Sequence, residues 1–281
     1  MNVHEARRLL QNPYAYLDGN GAYTEYPQDD QSDESNVPLI AIEKINPSKS
    51  EGRRYHRNTI ENIARTLQKE MWTVRKDLIP SRAEVSPMGI LDPSLALQTL
   101  GYNTVIDESL GQYSRNGELF EVAGIIDNSK DEVRISRRFS PIIRNFTTAH
   151  ELGHAVLHGG SGLHRDRALD GSPNNRSREP QEAEADIFAA YFLLPEKQVI
   201  AAFKKIFLEV PFVLNDNTAF ALISDTVDSL QTRLRTLRDL SRYLSGVERY
   251  NGTQVISIAK QFNVSVEAMA IRLEELKLVQ M

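Results

Sequence analysis

A five-residue motif, His150-Glu151-Leu152-Gly153-His154, constrains this chain more than any other feature. Residues four apart on an α-helix lie on one face, about one turn from each other. Two imidazoles placed in this way can bind a single zinc ion, and the glutamate between them can act as a general base towards a water molecule. The motif therefore predicts the helix of a zinc peptidase.

The residues around the motif indicate that this helix is buried rather than solvated. Apolar residues recur at helical spacing on both sides of the motif: Phe146, Ala149, Val156 and Leu157. Thr147 or Thr148 is predicted to cap the beginning of the helix, and His158, followed by two glycines, its end. The alternative is a chance match on a solvated helix face. Two inward histidines on a buried helix need a reason, and a metal ion is the simplest one.

Composition excludes several classes of protein. The chain has 281 residues, 41% of them hydrophobic and 25% charged, which is typical of a soluble protein with one large domain or two modest ones. It has no cysteine, which excludes disulfides, thiolate zinc sites and a cysteine nucleophile. A net charge of −5 argues against nonspecific binding of nucleic acid by the whole molecule. No segment is typical of a signal peptide or a membrane span, so we expect a cytoplasmic protein.

The middle of the chain predicts an α+β domain. Apolar residues three and four apart predict a helix over residues 58–78, and Asp92 with Pro93 predicts the start of a second helix that runs to residue 100. Short β-branched segments bounded by turn residues predict strands over 102–106, 119–126 and 132–136. We therefore expect a small antiparallel sheet ahead of the motif helix.

The last of these strands, Val133-Arg134-Ile135-Ser136, alternates apolar and polar residues directly before the motif helix. In a peptidase this is a suitable place for an edge strand that pairs with an extended substrate. An ordinary half-buried strand explains the pattern equally well.

The metal needs a third protein ligand. His158 lies about 12 Å of helix rise from His150, too far for both to reach one ion. A metzincin would need glycine at position 157 and histidine at position 160, where the chain has leucine and glycine. The remaining candidates are carboxylates of the next predicted helix, which follows a polar loop: Glu179, Glu182, Glu184 and Asp186.

Glu184 is the predicted third ligand, with Glu182 as the alternative. Glu184 is in register with the bulky apolar stripe of its helix, and a buried carboxylate is expected to meet a cation. Asp186 or Glu182 is predicted to hydrogen-bond a ligating imidazole, and His158 to lie close to the ligands. Glu151 is the predicted general base.

The residue that would stabilise the oxyanion is not identified by the sequence. Tyr191, His158 and Tyr113 are the candidates.

The last third of the chain predicts helices. Apolar residues at steps of four and three predict one long helix over 221–246, either packed on its own domain or forming the seam of a homodimer. Residues 253–273 predict two helices joined by a tight turn at Asn263, with Ser265 capping the second. This shape is typical of helix-turn-helix DNA readers, but only Arg272 and Lys277 would offer charge to a groove, so simple packing is favoured.

Three segments resemble the ImmA/IrrE metallopeptidases. Residues 146–158 look like the active-site helix of that family, and residues 182–195, Glu-Ala-Glu-Ala-Asp-Ile-Phe-Ala-Ala-Tyr-Phe-Leu-Leu-Pro, are similar to the helix that carries its third ligand. Residues 259–276 resemble its C-terminal helix-turn-helix-like segment. The match covers roughly residues 56–200 and 253–278, and neither the first ~50 residues nor an insertion at about 205–250 fits the common core.

The resemblance implies a zincin-like (gluzincin) fold with a C-terminal helical domain, and it supports Glu184 as the ligand. It implies a cytoplasmic endopeptidase that uses zinc, sometimes manganese, and cuts an XRE-type repressor to release a stress, mobile-element or phage-defence operon. The expected organisation is a polar extension (1–55), a zinc peptidase domain (56–200), a helical insertion (201–250) and a helix-turn-helix-like segment (251–281). A DNA-binding regulator with a structural or sensory metal site is the main alternative, and an assembly module built on 221–246 is another.

Overall fold

The structure, a computed structural model, describes residues 38–50, 52–79, 87–115, 118–158, 163–167, 179–223 and 226–281. Residues 36–281 form one compact unit. Most of the predicted polar extension and of the polar loop after the motif helix lies outside the described residues. The predicted subdivision of the chain at residues 55, 200 and 250 therefore stays a prediction.

Six α-helices of the described residues lie in the part of the chain up to and including the predicted ligands. They are α1 Ile42–Ile45, α2 Arg57–Thr73, α3 Arg75–Leu78, α4 Pro93–Thr99, α5 Pro141–Leu157 and α6 Pro180–Leu193. The helices that follow are α7 Glu196–Phe207, α8 Asp216–Ile223, α9 Val227–Arg233, α10 Leu237–Gly246, α11 Ile258–Gln261 and α12 Val266–Glu275. None of the helices described is long and apolar enough to cross a membrane.

The main sheet contains β1 Asn103–Asp107, β2 Gln112–Arg115, β3 Glu118–Asp127, β4 Glu132–Ser136 and β5 Leu163–Arg167. Its order is β1-β4-β3-β2, and β5 pairs with β3 as well. Short pairs form elsewhere from β6 Phe212–Val213 with β9 Val279–Gln280, and from β7 Arg249–Tyr250 with β8 Thr253–Gln254. Mixed helices and a small sheet confirm the α+β class.

Two expectations about the sheet are corrected. It is not purely antiparallel, because β1 pairs with β4 in parallel. The strand of Val133, Arg134, Ile135 and Ser136 is not an edge, because β4 lies between β1 and β3 and pairs with both. Its backbone hydrogen bonds are therefore used on both sides, and β4 has no free edge for a substrate.

The motif helix α5 is longer than predicted. It begins at Pro141, and Ser140 caps it by accepting a hydrogen bond from the Ile143 amide (3.4 Å). Proline suits the first turn because its φ is already helical and its missing N–H is not needed there. Thr147 and Thr148 are therefore interior residues of the helix and not its cap. The end of the helix at Leu157 is as predicted.

Helices α5 and α6 pack against each other at the centre of the molecule. At Gly153, an added Cβ would lie only 3.0 Å from the Ala185 Cα, so the backbones approach closely at this point. Every residue of α5 from Phe146 to Leu157 is buried. The close crossing brings the histidines of α5 within reach of the carboxylates of α6.

The predicted long helix over 221–246 is three helices, α8, α9 and α10. Thr226 caps α9, and Thr236 forms a capping box with Asp239 at the start of α10. These threonines start new helices because their side chains satisfy the first backbone N–H groups. Apolar residues of the predicted seam are buried inside the chain, Leu230 and Leu244 completely. A homodimer through a continuous 221–246 seam is therefore not available.

The C-terminal helical pair has the predicted shape but packs against the rest of the chain. Asn263 has the expected left-handed backbone (φ 51°), and Ser265 caps α12 by accepting from the Ala268 amide. On α12, Glu267 forms ion pairs with Arg238 and Arg242 of α10, and Arg272 is buried. Arg272 is thus not available to a DNA groove, and nothing in this packing favours DNA reading.

Candidate metal centre

Three side chains on α5 and α6 come together as a group able to hold a metal ion. The Nε2 atoms of His150 and His154 are 3.0 Å apart. Glu182 of α6 lies opposite, with its Oε2 3.4 Å from His150 Nε2 and its Oε1 3.6 Å from His154 Nε2. Both histidines are fully buried, whereas Glu182 is partly exposed. The group is therefore largely buried, and Glu182 is its most exposed member.

These separations fit a tetrahedral zinc ion. Donors at ~2.0–2.1 Å from such an ion are about 3.3–3.4 Å from one another. The observed 3.0, 3.4 and 3.6 Å bracket that value. Two imidazole nitrogens and one carboxylate form a donor set typical of catalytic zinc peptidases, which leave a fourth position for water or substrate. Among the described residues, this is the group of histidine and acidic side chains that fits an ion.

The expectation that Glu184 is the third ligand is corrected. Glu184 is buried, as the apolar stripe predicted, but it does not join His150 and His154. Its Oε2 lies 3.1 Å from His158 Nε2, and its Oε1 accepts a hydrogen bond from the Tyr55 amide (3.1 Å). These two contacts satisfy its carboxylate on the other side of the helix crossing.

Each histidine of this group has a hydrogen-bond partner on its other ring nitrogen. Asp186 Oδ1 lies 2.9 Å from His150 Nδ1, as a residue predicted to orient an imidazole should. His158 Nδ1 lies 3.0 Å from His154 Nδ1. In both ligands the Nδ1 atom is occupied by this contact, so the Nε2 atom faces Glu182.

The predicted general base, Glu151, is fully buried on α5 and lies against strand β3. A Cβ added to Gly124 of β3 would be 2.4 Å from Glu151 Oε1 and 2.7 Å from Thr147 Cγ2. Only glycine leaves room for the carboxylate at this point. Gly124 was not among the predicted site residues, although a glycine inside a strand often marks a close approach of another group.

Two of the oxyanion candidates are placed elsewhere. Tyr191 lies nine residues beyond Glu182 on α6, about 13 Å along the helix. There its ring packs under the Arg272 guanidinium, 4.8 Å from the ring centroid, and burial raises the pKa of its hydroxyl. His158 has one ring nitrogen on His154 and the other on Glu184. The side chain of Tyr113 lies outside the described residues.

The end of α5 is held by a segment that the sequence analysis left without a role, residues 46–55. Lys49 Nζ donates to the Ala155 carbonyl (2.6 Å), and Asn46 Nδ2 donates to the Val156 carbonyl (3.0 Å). Burial lowers the pKa of Lys49. Ser50 forms a backbone bridge with His158, next to the Tyr55 amide that binds Glu184. These bonds occupy carbonyls that a helix end leaves unsatisfied, and they fix its last turn.

Comparison with protein families supports the peptidase assignment. Residues 104–208, which contain the sheet, α5 and α6, match the peptidase family described as the IrrE N-terminal-like domain. Comparisons with curated proteins and with solved structures gave no match. The matched segment includes all three residues of the metal-binding group and Glu151. The resemblance to the ImmA/IrrE metallopeptidases that the motifs predicted is therefore confirmed over residues 104–208.

Proposed function

We propose that this chain is a zinc endopeptidase that cuts one specific regulatory protein. The observation that supports this proposal best is the convergence of His150, His154 and Glu182 beside a buried Glu151. A structural or sensory metal site needs ligands alone. A carboxylate held against the strand beside them, in a space that only glycine leaves, is what a general base needs.

In this mechanism His150, His154 and Glu182 hold the ion. When bound, zinc supplies Lewis acidity to the attacking water and to the scissile carbonyl. Glu151 accepts a proton from that water as it attacks, and it then returns the proton to the leaving amine. Asp186 keeps the His150 ring in one orientation through the reaction. Manganese suits the same nitrogen and oxygen ligands and is a second candidate for the metal.

The strand edge that we propose to pair with the substrate is that of β5 and not that of β4. Strand β5 pairs with β3, and Gly124 of β3, which contacts Glu151, is in register with Asp166 of β5. Among the described strands, β5 pairs with β3 alone, so its other edge faces no described strand. An extended peptide that adds to this edge would lie on the side of the sheet where β5 pairs with β3, with backbone hydrogen bonds supplying affinity.

The proposed substrate is a DNA-binding repressor of the XRE type, whose cleavage would release a stress, mobile-element or phage-defence operon. This part rests on the family resemblance, and the partly buried site is consistent with it. A fully buried general base suits one extended segment better than a wide range of folded proteins. We expect the enzyme to act in the cytoplasm, where such repressors act.

The test is a comparison of new protein N-termini in host cells that express either the wild-type chain or Glu151→Gln. Glutamine keeps the size of the side chain but cannot accept the proton. We expect a single cleavage site in an XRE-type repressor in the wild-type cells and none in the variant cells. Glu182→Gln should also abolish cleavage by removing a ligand, whereas Glu179→Gln, at the exposed N-cap position of the same helix, should not.

Two outcomes would count against the proposal. If no new N-terminus depends on Glu151 under any stress tested, the endopeptidase activity is refuted. If cleavage depends on Glu151 but falls in proteins of other classes, the peptidase stands and the regulatory role is refuted.

A further inference from the structure

A chain of buried hydrogen bonds runs from one metal ligand to the N-terminal part of the structure. His154 Nδ1 lies 3.0 Å from His158 Nδ1, and His158 Nε2 lies 3.1 Å from Glu184 Oε2. Glu184 Oε1 in turn accepts from the Tyr55 amide at 3.1 Å. The three side chains are at most 7% exposed, so water does not compete for these bonds.

The direction of each hydrogen bond follows from the two ends of the chain. Glu184, as a carboxylate, only accepts, so His158 Nε2 must carry the proton that it donates. A neutral His158 then has a lone pair on Nδ1, and that atom accepts from His154 Nδ1–H. His154 is left with its lone pair on Nε2, the atom that faces His150 and Glu182. The opposite tautomer of His154 would point a proton at the metal position.

We propose that Glu184 and His158 are positioning residues that hold His154 in the tautomer able to bind the metal. This inference rests on the proposed function, because it concerns the ligands of the same site. It assigns Glu184 a task different from that of a ligand, and it makes the two ligating histidines unequal. His150 is oriented by one carboxylate directly, and His154 by a carboxylate acting through a second imidazole.

The carboxylate of Glu184 is needed because two donors converge on it. The Tyr55 amide occupies Oε1, and His158 occupies Oε2. Glutamine has one acceptor oxygen, so in Glu184→Gln one of the donors would face an NH2 group. The orientation of His158, and with it that of His154, would no longer be fixed.

The first experiment measures histidine tautomers in the metal-free protein by long-range ¹H–¹⁵N NMR after ¹⁵N-histidine labelling. The chain has 6 histidines, so the spectrum can be assigned by substitution. We expect His154 protonated at Nδ1 and His158 at Nε2 in the wild type, and a mixture of tautomers in Glu184→Gln and His158→Phe. A wild-type His154 protonated at Nε2 would overturn the proposal, and this measurement needs no variant to fold.

The second experiment measures zinc affinity by competition with a chromogenic chelator. Glu184→Gln and His158→Phe should each weaken zinc binding by about 10- to 100-fold, as loss of a group behind a ligand does. Because the two residues act in series, the double variant should bind zinc only slightly less tightly than whichever single variant binds it less tightly. Glu179→Gln, which changes the exposed N-cap residue of the same helix, should bind zinc within about twofold of the wild type.

The outcomes separate this inference from the proposed function. If Glu184→Gln binds zinc like Glu179→Gln, the positioning role is overturned even if the wild type cleaves its substrate. If Glu182→Gln keeps zinc and Glu184→Gln loses it entirely, Glu184 is the ligand and the positioning role is overturned. If the tautomers and affinities are as expected but no cleavage is found in cells, the positioning role stands and the proposed function fails.

Discussion

Replacing Gly124 by alanine should disable the proposed general base while leaving the metal ligands in place. The added Cβ would lie 2.4 Å from Glu151 Oε1 and 2.7 Å from Thr147 Cγ2, closer than the 3.0 Å that real Cβ contacts respect. The carboxylate must therefore move by about 0.6–1 Å. Thr147 cannot yield instead, because its branched side chain is fixed on a fully buried helix turn.

The size of the effect follows from this displacement. A shift of about 1 Å in a reacting group can lower the rate about 100-fold, so we expect a loss of kcat of this order. Overpacking should lower the free energy of unfolding by about 1–3 kcal/mol. Alanine also stabilises by about 0.4–1 kcal/mol through the unfolded state, which offsets only part of that loss. Zinc affinity should change little, because the three atoms nearest the added methyl belong to Glu151 and Thr147 and not to a proposed ligand.

Three measurements on purified protein test this reasoning: cleavage of the identified substrate, zinc competition and thermal unfolding. The matched control is Gly246→Ala at the end of α10, where the added Cβ would lie 3.4 Å from Val266, an ordinary contact. The control should cleave and bind zinc like the wild type, and its free energy of unfolding should be unchanged or higher by up to about 1 kcal/mol. The reasoning fails if Gly124→Ala cleaves at the wild-type rate. It also fails if zinc binding is lost with cleavage, since the strand would then position the ligands as well.

Three further predictions concern the crossing of α5 and α6 and two sets of ion pairs made by α12. Gly153→Ala should push α5 and α6 apart at Ala185. It should lower the free energy of unfolding by about 1–3 kcal/mol and should also lower zinc affinity. Unchanged urea unfolding and unchanged zinc competition would contradict the close crossing. Arg272→Met should lower the free energy of unfolding by about 2–3 kcal/mol. This loss is smaller than for a fully buried ion pair, because the acidic partners of Arg272 are partly exposed. A change below about 0.5 kcal/mol in urea unfolding would show that the contacts of Arg272 are dispensable. The Arg242 guanidinium bound to Glu267 holds the pKa of that carboxyl below 4.5, so its contribution to stability is present above about pH 4.5 and is lost as the pH falls through the folded-state pKa. The free energy of unfolding of Glu267→Gln should therefore depend less on pH below about pH 4.5 than that of the wild type, and an identical pH dependence would refute this coupling.

The sequence predicted the motif helix because a buried helix repeats its apolar residues every three to four positions. It did not predict where the helix starts. A threonine inside a helix and a capping threonine look alike in sequence, and the Ser140-Pro141 pair was the stronger signal. Strand β5 was missed because it lies in a polar segment, and its pairing with β3 depends on contacts far along the chain.

The prediction of one long helix over 221–246 was wrong for a different reason. Apolar spacing continues in phase across a break when the next helix resumes on the same core, so the pattern alone cannot detect the break. The caps at Thr226 and at Thr236 with Asp239 were present in the sequence and should have outweighed the spacing. A seam of leucines therefore predicts a buried face but not one continuous helix.

The choice between Glu182 and Glu184 shows where sequence reasoning ends. Burial was read correctly for Glu184, but burial does not say on which side of the contact line a residue lies. Helices α5 and α6 touch at Ala185, and each residue turns the helix by about 100°, which places Glu182 about 60° and Asp186 about 100° to one side and Glu184 about 100° to the other. The first side faces His150 and His154, and the second faces His158. The sequence could predict which carboxylates lie near the histidines. Which carboxylate contacts which histidine depends on the point where the helices cross, and Gly153 sets that point.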